Sequence, residues 1–514
     1  MACLAACWLG SQGCSPETPD LSQSRTEDRP PAIWPDYNGV TLPPNLGPIN
    51  FTIREKGSRY FVRISRGDSS RCAITLLSRS PNVRIPLKPW RALLGEGPGG
   101  VLRIDVCSQD NQGCWTRFAP LSNTIAAEPI DTHLVYRIIQ PLYMMHTDMG
   151  IYERDLTSFA ERPLLLNTAT GGNCINCHAF DHGNPDRMMF HMRAGAVGTS
   201  MILLYDGELA KVDTKTPANP AGAYRSWHPN GRIIAFSHNA VRQVFHGLGK
   251  NRDVYDRSSD LFLYDVKTHT ITTSPKVASP DRMETYPEWS ADGRFLYFCS
   301  APALELYGQA EHPYNKIRYD LMRIAYDPNT GSWGEVERVV AASDQGLSAA
   351  HPRVSPDGRT LLFCMSKYSN FPLYSPDSDL YVLDLQTLQC RKAEEVNSDQ
   401  AESYHSWSSN GRWIVFSSKR QDGTSTHFYI SYFNTAGHFT KPFLLPQRDP
   451  EYQATLPIVY NIPEFVKGPV KVRPQALIKA AWSKTVIPSR LDPQIAPKPG
   501  PQVEEPLYTP APVR

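Results

Sequence analysis

Nowhere in its 514 residues does the chain carry an apolar run long enough to span a bilayer. It also lacks any block of like charge. Lys plus Arg number 53 against 51 Asp plus Glu, mixed along the chain for a formal charge of +2, so no nucleic-acid partner is expected. There is no Gly-x-Ser-x-Gly elbow, no phosphate-binding Gly-Lys-Ser/Thr loop and no His-Glu-x-x-His helix. Those absences remove the common signatures of serine hydrolases, P-loop enzymes and zinc peptidases. The first charged residue is Glu17, so the basic n-region of a secretory signal is missing. Eleven cysteines, an odd number with no dense spacing, argue against a disulfide scaffold.

What the chain has in quantity is turn formers and aromatics: 45 Pro, 33 Gly, 10 Trp, 24 Tyr and 19 Phe. That composition suits many short strands joined by turns, and the expected fold class is all-β. Residues 1–45 read as a signal remnant and exposed tether. Ser11-Gln12-Gly13-Cys14 resembles a bacterial lipoprotein processing site, which would make Cys14 the lipidated residue and membrane tether. Residues 46–130 alternate, as in "RYFVRISR" and "VLRIDVCSQDNQGCW", and predict a small antiparallel β-sandwich of fibronectin or immunoglobulin type. Within it Cys107 and Cys114 flank a hairpin loop and can be bridged only if the register sets them opposite each other.

From about Thr170 to Phe433 the chain repeats itself, inside an expected propeller domain of residues 131–470. "YRSWHPNGRIIAFSHN" from Tyr224, "YPEWSADGRFLYFCS" from Tyr286, "HPRVSPDGRTLLFCMS" from His351 and "YHSWSSNGRWIVFSSKR" from Tyr404 each join two strands through an Asp-Gly or Asn-Gly turn. The turn glycines Gly231, Gly293, Gly358 and Gly411 are 62, 65 and 53 residues apart, a spacing that fits four-stranded blades with loop insertions. These repeats resemble those of TolB-like β-propellers. The resemblance implies a propeller of about six blades, closed by strands from both ends of the repeat region, "LVYRIIQPLY" and "MGIYERDL" at one end and "ATLPIVYNIPEFV" at the other. Cys299 and Cys364 hold matching places in two repeats and are expected to be buried free thiols. Residues 471–514 predict one short helix, "QALIKAAWSK", followed by a tail with eight prolines in its last 31 residues.

One string departs from the repeats: Cys174-Ile-Asn-Cys177-His178. With 11 Cys and 14 His in the chain, such a string arises by chance roughly 0.006 times, and it is the signature of c-type haem attachment. Two thiols at this spacing add to the haem vinyl groups, and the following imidazole becomes the proximal iron ligand. Zinc would need two further ligands, and although His182 and His191 are near, no second Cys-x-x-Cys exists. A redox dithiol lacks its βαβ context.

The motif is expected in the first blade, with "RMMFHMR" as its second strand, aligned so that Arg187 matches Arg232 and His191 matches Phe236. Strand alternation puts Arg187, Met189 and His191 on one face. The second axial ligand is therefore expected from His191, then Met189, then Met145, His146 or Met149, with a sixth position left open as the remaining alternative. Arg187 and Arg193 are candidates to pair with haem propionates. His228, His351 and His405 recur near the inner ends of three repeats, where they either pack or form a ligand site.

The order of β-sandwich, haem motif, Met-rich strand, propeller repeats and "YNIPEF" is similar to a group of bacterial envelope proteins, common in the Bacteroidetes, described as TolB-like and often labelled cytochrome c biogenesis proteins. The resemblance implies a protein of the periplasm or outer membrane that carries covalent haem c. The expected role is electron transfer or redox sensing with an unidentified redox or envelope partner, rather than catalysis. Two rival readings are a peroxidase-like haem enzyme with an open sixth position, and a scaffold of a transport or secretion assembly in which haem is structural.

Overall fold

The computed structural model describes residues 18–67, 73–97, 99–139, 149–193, 195–215, 222–246, 252–304, 313–452 and 457–495. Cys14, Met145 and His146 lie outside the described residues. Among those described, the structure is nearly all β, with two helices of eight residues each, Leu87–Leu94 and Pro474–Ala481.

The chain divides into two compact units. One holds residues 1–127 and 446–454, the other 128–445 and 455–514. The first unit contains a seven-stranded sheet and a three-stranded sheet. The expected tether is partly wrong. Arg25–Glu27 pairs in parallel with Trp115–Phe118, and Thr41–Leu42 with Leu121–Ile125. The reason is apolar: Tyr37, Val40, Leu42 and Leu46 are buried, so this segment belongs to the core. Residues 446–454 also return to this unit, where the Asn50 amide donates to the carbonyls of Gln447 and Arg448. Cys107 stands opposite Arg117, not Cys114, and both thiols are free.

Among the described residues the second unit is a propeller-like set of six sheets, antiparallel apart from one parallel edge strand in each of two, and each begins with an inner strand. In five of them the inner strand is Cys174–Phe180, Arg225–Trp227, Arg282–Trp289, Ser348–Val354 or Glu402–Trp407. The sixth inner strand, Val459–Val466, comes from the far end of the chain and pairs with His133–Ile139, which continues into Gly150–Asp155 and Glu161–Leu166. The inner strands contact one another in a closed cycle, Val459–Val466 lying against both Glu402–Trp407 and Cys174–Phe180. The haem-like motif is therefore in the second sheet along the chain, not the first, because the strands before it complete a sheet of their own.

One aromatic side chain per sheet anchors the packing. Tyr136, Phe190, Phe236, Phe298, Phe363 and Phe416 occupy the same register on the second strand of each sheet and are all fully buried. Each such burial stabilises by about 2 kcal/mol. The four Gly turns share one bonding scheme: Asn230, Asp292, Asp357 and Asn410 each accept the backbone N–H two residues on, at 2.9 to 3.1 Å. The following glycine takes φ between 64° and 73°, a region that costs any other L residue about 1 kcal/mol.

The C-terminal helix is present as expected, but the tail after it is not wholly detached. Ile487–Pro488 pairs with the outer strand Glu208–Asp213, and Arg490–Leu491 with Thr270–Thr272.

Candidate functional site

The site expected from the sequence lies on the inner strand Cys174–Phe180. Its register slips between Asn176 and Ala179, and Cys177 takes φ 56°. This is not peculiar to the motif. Tyr286, His351, Tyr404 and Ile462 hold the matching place in four other inner strands, also at positive φ, with register shifts beside them. A bulge with one left-handed residue is thus a device of the repeat, and it turns that residue inward. In the sheet of Arg225–Trp227 the same place is held by Tyr224.

Four of these residues meet ring to ring in series, each tilted against the next. Ring centroids are 4.0 Å apart for Tyr224 and Tyr286, 4.1 Å for Tyr286 and His351, and 4.4 Å for His351 and Tyr404. Cys177 occupies the same tier of the propeller, and its side chain is almost wholly buried.

His178 is fully buried, and neither ring nitrogen has a hydrogen-bond partner, although the backbone carbonyls of Val135 and Ile462 lie beside it. Its ring meets Phe180 edge-on. His191 is equally buried and equally unpartnered, but its ring lies against Phe236 and beside Gly222 of the following sheet. The two imidazoles are set against different neighbouring sheets, and the structure does not bring them together as a ligand pair. Burial holds both well below the ordinary imidazole pKa, with nearby arginines adding to the effect, so both are neutral.

The face assignments on Met188–Arg193 follow strand alternation. Met189 joins the cluster of Trp227 and Phe236, whereas Met188, Phe190 and Met192 join the opposite one. That opposite cluster also contains Met149 and Phe180, and Cys174 packs against it. The Met149 sulfur accepts the Ile175 N–H at 3.3 Å.

The alignment of Arg187 with Arg232 is corrected by one residue. Phe180 faces Met188 as Trp227 faces Ile234, so Phe190 matches Phe236 and His191 matches Ser237. The turn of the motif sheet is one residue longer, which is what displaced the alignment. Arg187 is also engaged elsewhere: it pairs with Asp206 at 2.7 Å and Asp181 at 3.1 Å, and covers the Tyr205 ring. It braces a turn and is not free for a propionate.

Arg193 remains near the motif, bonded to the Gly222 carbonyl with its Nε unpartnered. Burial raises the Cys174 thiol pKa, and Arg193 and Arg137 oppose that rise. Arg137, Asn176 and Asn461 were missed by sequence reasoning. Arg137 bonds the side-chain oxygens of both asparagines, the Asn461 bond at 2.9 Å, and holds the place on its own sheet that His191 holds on the motif sheet. The signal lies in "LVYRIIQ", where Arg137 directly follows Tyr136, the residue that matches the buried second-strand aromatic of the other sheets.

These observations fit a haem's donor requirements: a buried neutral imidazole without a side-chain partner beside Cys177, and two guanidiniums beside Cys174. Cys177 and His178 are almost wholly buried and line neither of the two cavities described below.

Of the three recurring histidines, His228 caps its turn, bonding the Gly293 carbonyl at 3.0 Å and the Asn230 N–H at 3.0 Å. His405 bonds the Leu362 carbonyl at 2.9 Å. Only His351 keeps a buried nitrogen, Nε2, without a partner. Among the described residues no group of three His, Cys, Asp or Glu side chains is placed to hold a metal ion. Cys299 and Cys364 are buried free thiols whose pKa burial raises.

No protein-family model matches the sequence, and no curated protein matches it. Solved structures that match include prolyl oligopeptidase B from Galerina marginata, 11% identical over 66% of this chain and 42% of that one, with a TM-score of 0.34. An oligogalacturonate lyase from Vibrio parahaemolyticus is 12% identical over 74% of this chain and 100% of that one, at 0.33. Hydrazine synthase of Kuenenia stuttgartiensis is 9% identical over 52% and 64%, at 0.31. The chain thus spans less than half of the first of these, and scores this low carry no functional argument. The propeller-like description rests on the six sheets themselves.

Proposed function

We propose that this chain is a TolB-like envelope protein that carries haem c, bound through Cys174 and Cys177 with His178 as proximal ligand, and that it transfers or senses electrons. The observation that carries the reading is His178: a fully buried imidazole, adjacent to Cys177, with no side-chain partner and only the backbone carbonyls of Val135 and Ile462 beside its ring. A buried polar group without a partner costs about 1 to 3 kcal/mol and is retained where it has another task. A covalently held haem supplies one-electron redox chemistry there.

The chain's own residues have distinct parts in this reading. Burial keeps His178 neutral and able to ligate. Arg193 and Arg137 offer positive charge beside Cys174, Arg137 being oriented by Asn176 and Asn461. Met149 shares the Cys174 side of the sheet and would stand beside His191 and Met189 as a candidate second ligand. Because the C-terminal strand Val459–Val466 seals the ring beside the motif, attachment belongs to the stage before that strand docks. Export to the periplasm, lipidation at Cys14 and an envelope redox partner complete the reading.

The test is an oxidised and reduced absorption spectrum, with a haem stain on a denaturing gel, of protein made in the periplasm of a host with haem-attachment machinery. Wild type is expected to carry covalent low-spin haem, and Cys177→Ser to lose the covalent stain. Absence of covalent haem in folded wild type overturns the reading, and a high-spin form that binds carbon monoxide replaces electron transfer with haem catalysis.

A further inference from the structure

A cavity of about 340 Å³ is bounded by the ends of all six inner strands, at Phe180, Trp227, Trp289, Val354, Trp407 and Phe465. It lies on the axis of the propeller. Its charged lining consists of Arg225, Arg353 and Lys467 against Glu288 and Glu464, three cations to two carboxylates. The carboxylates are already occupied. Glu288 takes Arg353 at 2.9 Å and the Val354 N–H at 3.2 Å, and Glu464 takes the Phe180 N–H at 2.8 Å. Arg225 reaches Glu464 only at 3.9 Å, although its side chain is 4% exposed.

Four buried polar atoms on this lining have no hydrogen-bond partner: Arg225 Nε, Trp289 Nε1, His351 Nε2 and Ser406 Oγ. The first two can only donate, and the other two can donate. The repeat makes the Trp289 case informative. Trp227 and Trp407, at the same place in their sheets, donate to the carbonyls of Ala179 and Arg353 at 3.4 and 3.1 Å, whereas Trp289 donates to nothing. By contrast, the larger cavity of about 890 Å³, lined by Asn230, Asp265, Thr270 and Trp333 among others, contains none of the unpartnered buried atoms.

Unpartnered donors with a surplus positive charge call for an anion, and the indole and phenyl surfaces around them call for an organic one. We propose that the axial cavity binds a small organic carboxylate, with Arg225 opposing its charge and Trp289, His351 and Ser406 supplying further donors. The proposal is independent of the haem reading, since Cys174, Cys177 and His178 do not line the cavity.

The test is calorimetric titration of the full chain at constant ionic strength with benzoate, benzyl alcohol and inorganic phosphate. Benzoate is expected to saturate one site per chain and to bind about tenfold or more tightly than either of the others, a tenfold ratio corresponding to about 1.4 kcal/mol. Arg225→Gln is expected to weaken benzoate by about tenfold or more, and Ser406→Ala, which only removes a hydroxyl, by a few-fold. Ser406→Ala decides the matter if Arg225→Gln fails to fold. Absence of saturation by benzoate, equal affinity for benzyl alcohol, tighter binding of phosphate, or undiminished benzoate affinity in the folded variants overturns the proposal.

Discussion

In the sheet built on Cys174–Phe180, His178 and His191 are fully buried and four ring nitrogens have no partner. In the sheet that follows, Asp256 is just as deeply buried, yet one carboxylate oxygen accepts from Asn239 at 2.8 Å, Asn370 at 2.6 Å and Tyr319 at 3.5 Å. Its other oxygen is unpartnered, and burial pushes its pKa up to about 7. The two sheets share a frame and a buried aromatic anchor. They differ in how they treat these groups: one engages an oxygen of its acid with three side chains, the other leaves its imidazoles without a side-chain partner. Availability, more than burial, separates a candidate site from a packing solution.

Three experiments bear on that comparison. The largest effect is expected from removing residues 455–514, which takes away the closing strand common to both sheets' ring. The cooperative unfolding transition of the second unit should disappear in a thermal melt monitored by circular dichroism. Covalent haem staining should survive, since the motif precedes closure; loss of staining together with loss of fold would show that attachment needs the finished ring.

Next in size is Asp256→Asn. Unfolded, the carboxyl titrates near its ordinary 3.8, and folded near 7. Below about pH 4 both states are protonated and stability is full. Between about 4 and 7 the unfolded chain releases the proton and the folded chain keeps it, so stability falls as pH rises, then levels. Asn presents the same acceptor and a donor in place of the acid proton. The variant should therefore lose this slope and gain, relative to wild type, a few kcal/mol at pH 8 but almost nothing at pH 4 in urea unfolding.

The smallest effect is His178→Leu in haem-free protein. Removing an imidazole with two unpartnered nitrogens from an apolar setting should leave stability unchanged or raise it by about 1 kcal/mol in denaturant unfolding. A loss of several kcal/mol would mean that the ring has partners of its own and would put His178 in the same class as Asp256.

The frame was largely legible in the sequence because the repeats advertise local chemistry. The Asp-Gly and Asn-Gly turns at Gly231, Gly293, Gly358 and Gly411 all form, and closure by strands from both ends of the repeat region was readable from "LVYRIIQ" and "YNIPEF". The bulge was not, because a residue at positive φ is usually betrayed by glycine, and here Cys177, Tyr286, His351, Tyr404 and Ile462 take it instead. Residues 25–42 looked like a tether because their apolar side chains are few, but Tyr37, Val40 and Leu42 suffice to bury the segment. At the site, sequence showed the donors and not their directions. Alternation placed Met189 and His191 together correctly, but which neighbouring sheet each face meets is a property of the ring. The axial cavity was invisible for the same reason: its lining comes from six separate places in the chain.

The two-residue strands Ile487–Pro488 and Arg490–Leu491 have a further consequence. A sheet edge with free main-chain groups invites pairing with another molecule. By lying along Glu208–Asp213 and Thr270–Thr272, this segment covers part of the outer edge of the motif sheet and of its successor. This segment thus guards against edge-to-edge aggregation of the two sheets that contain residues 174–178 and Asp256.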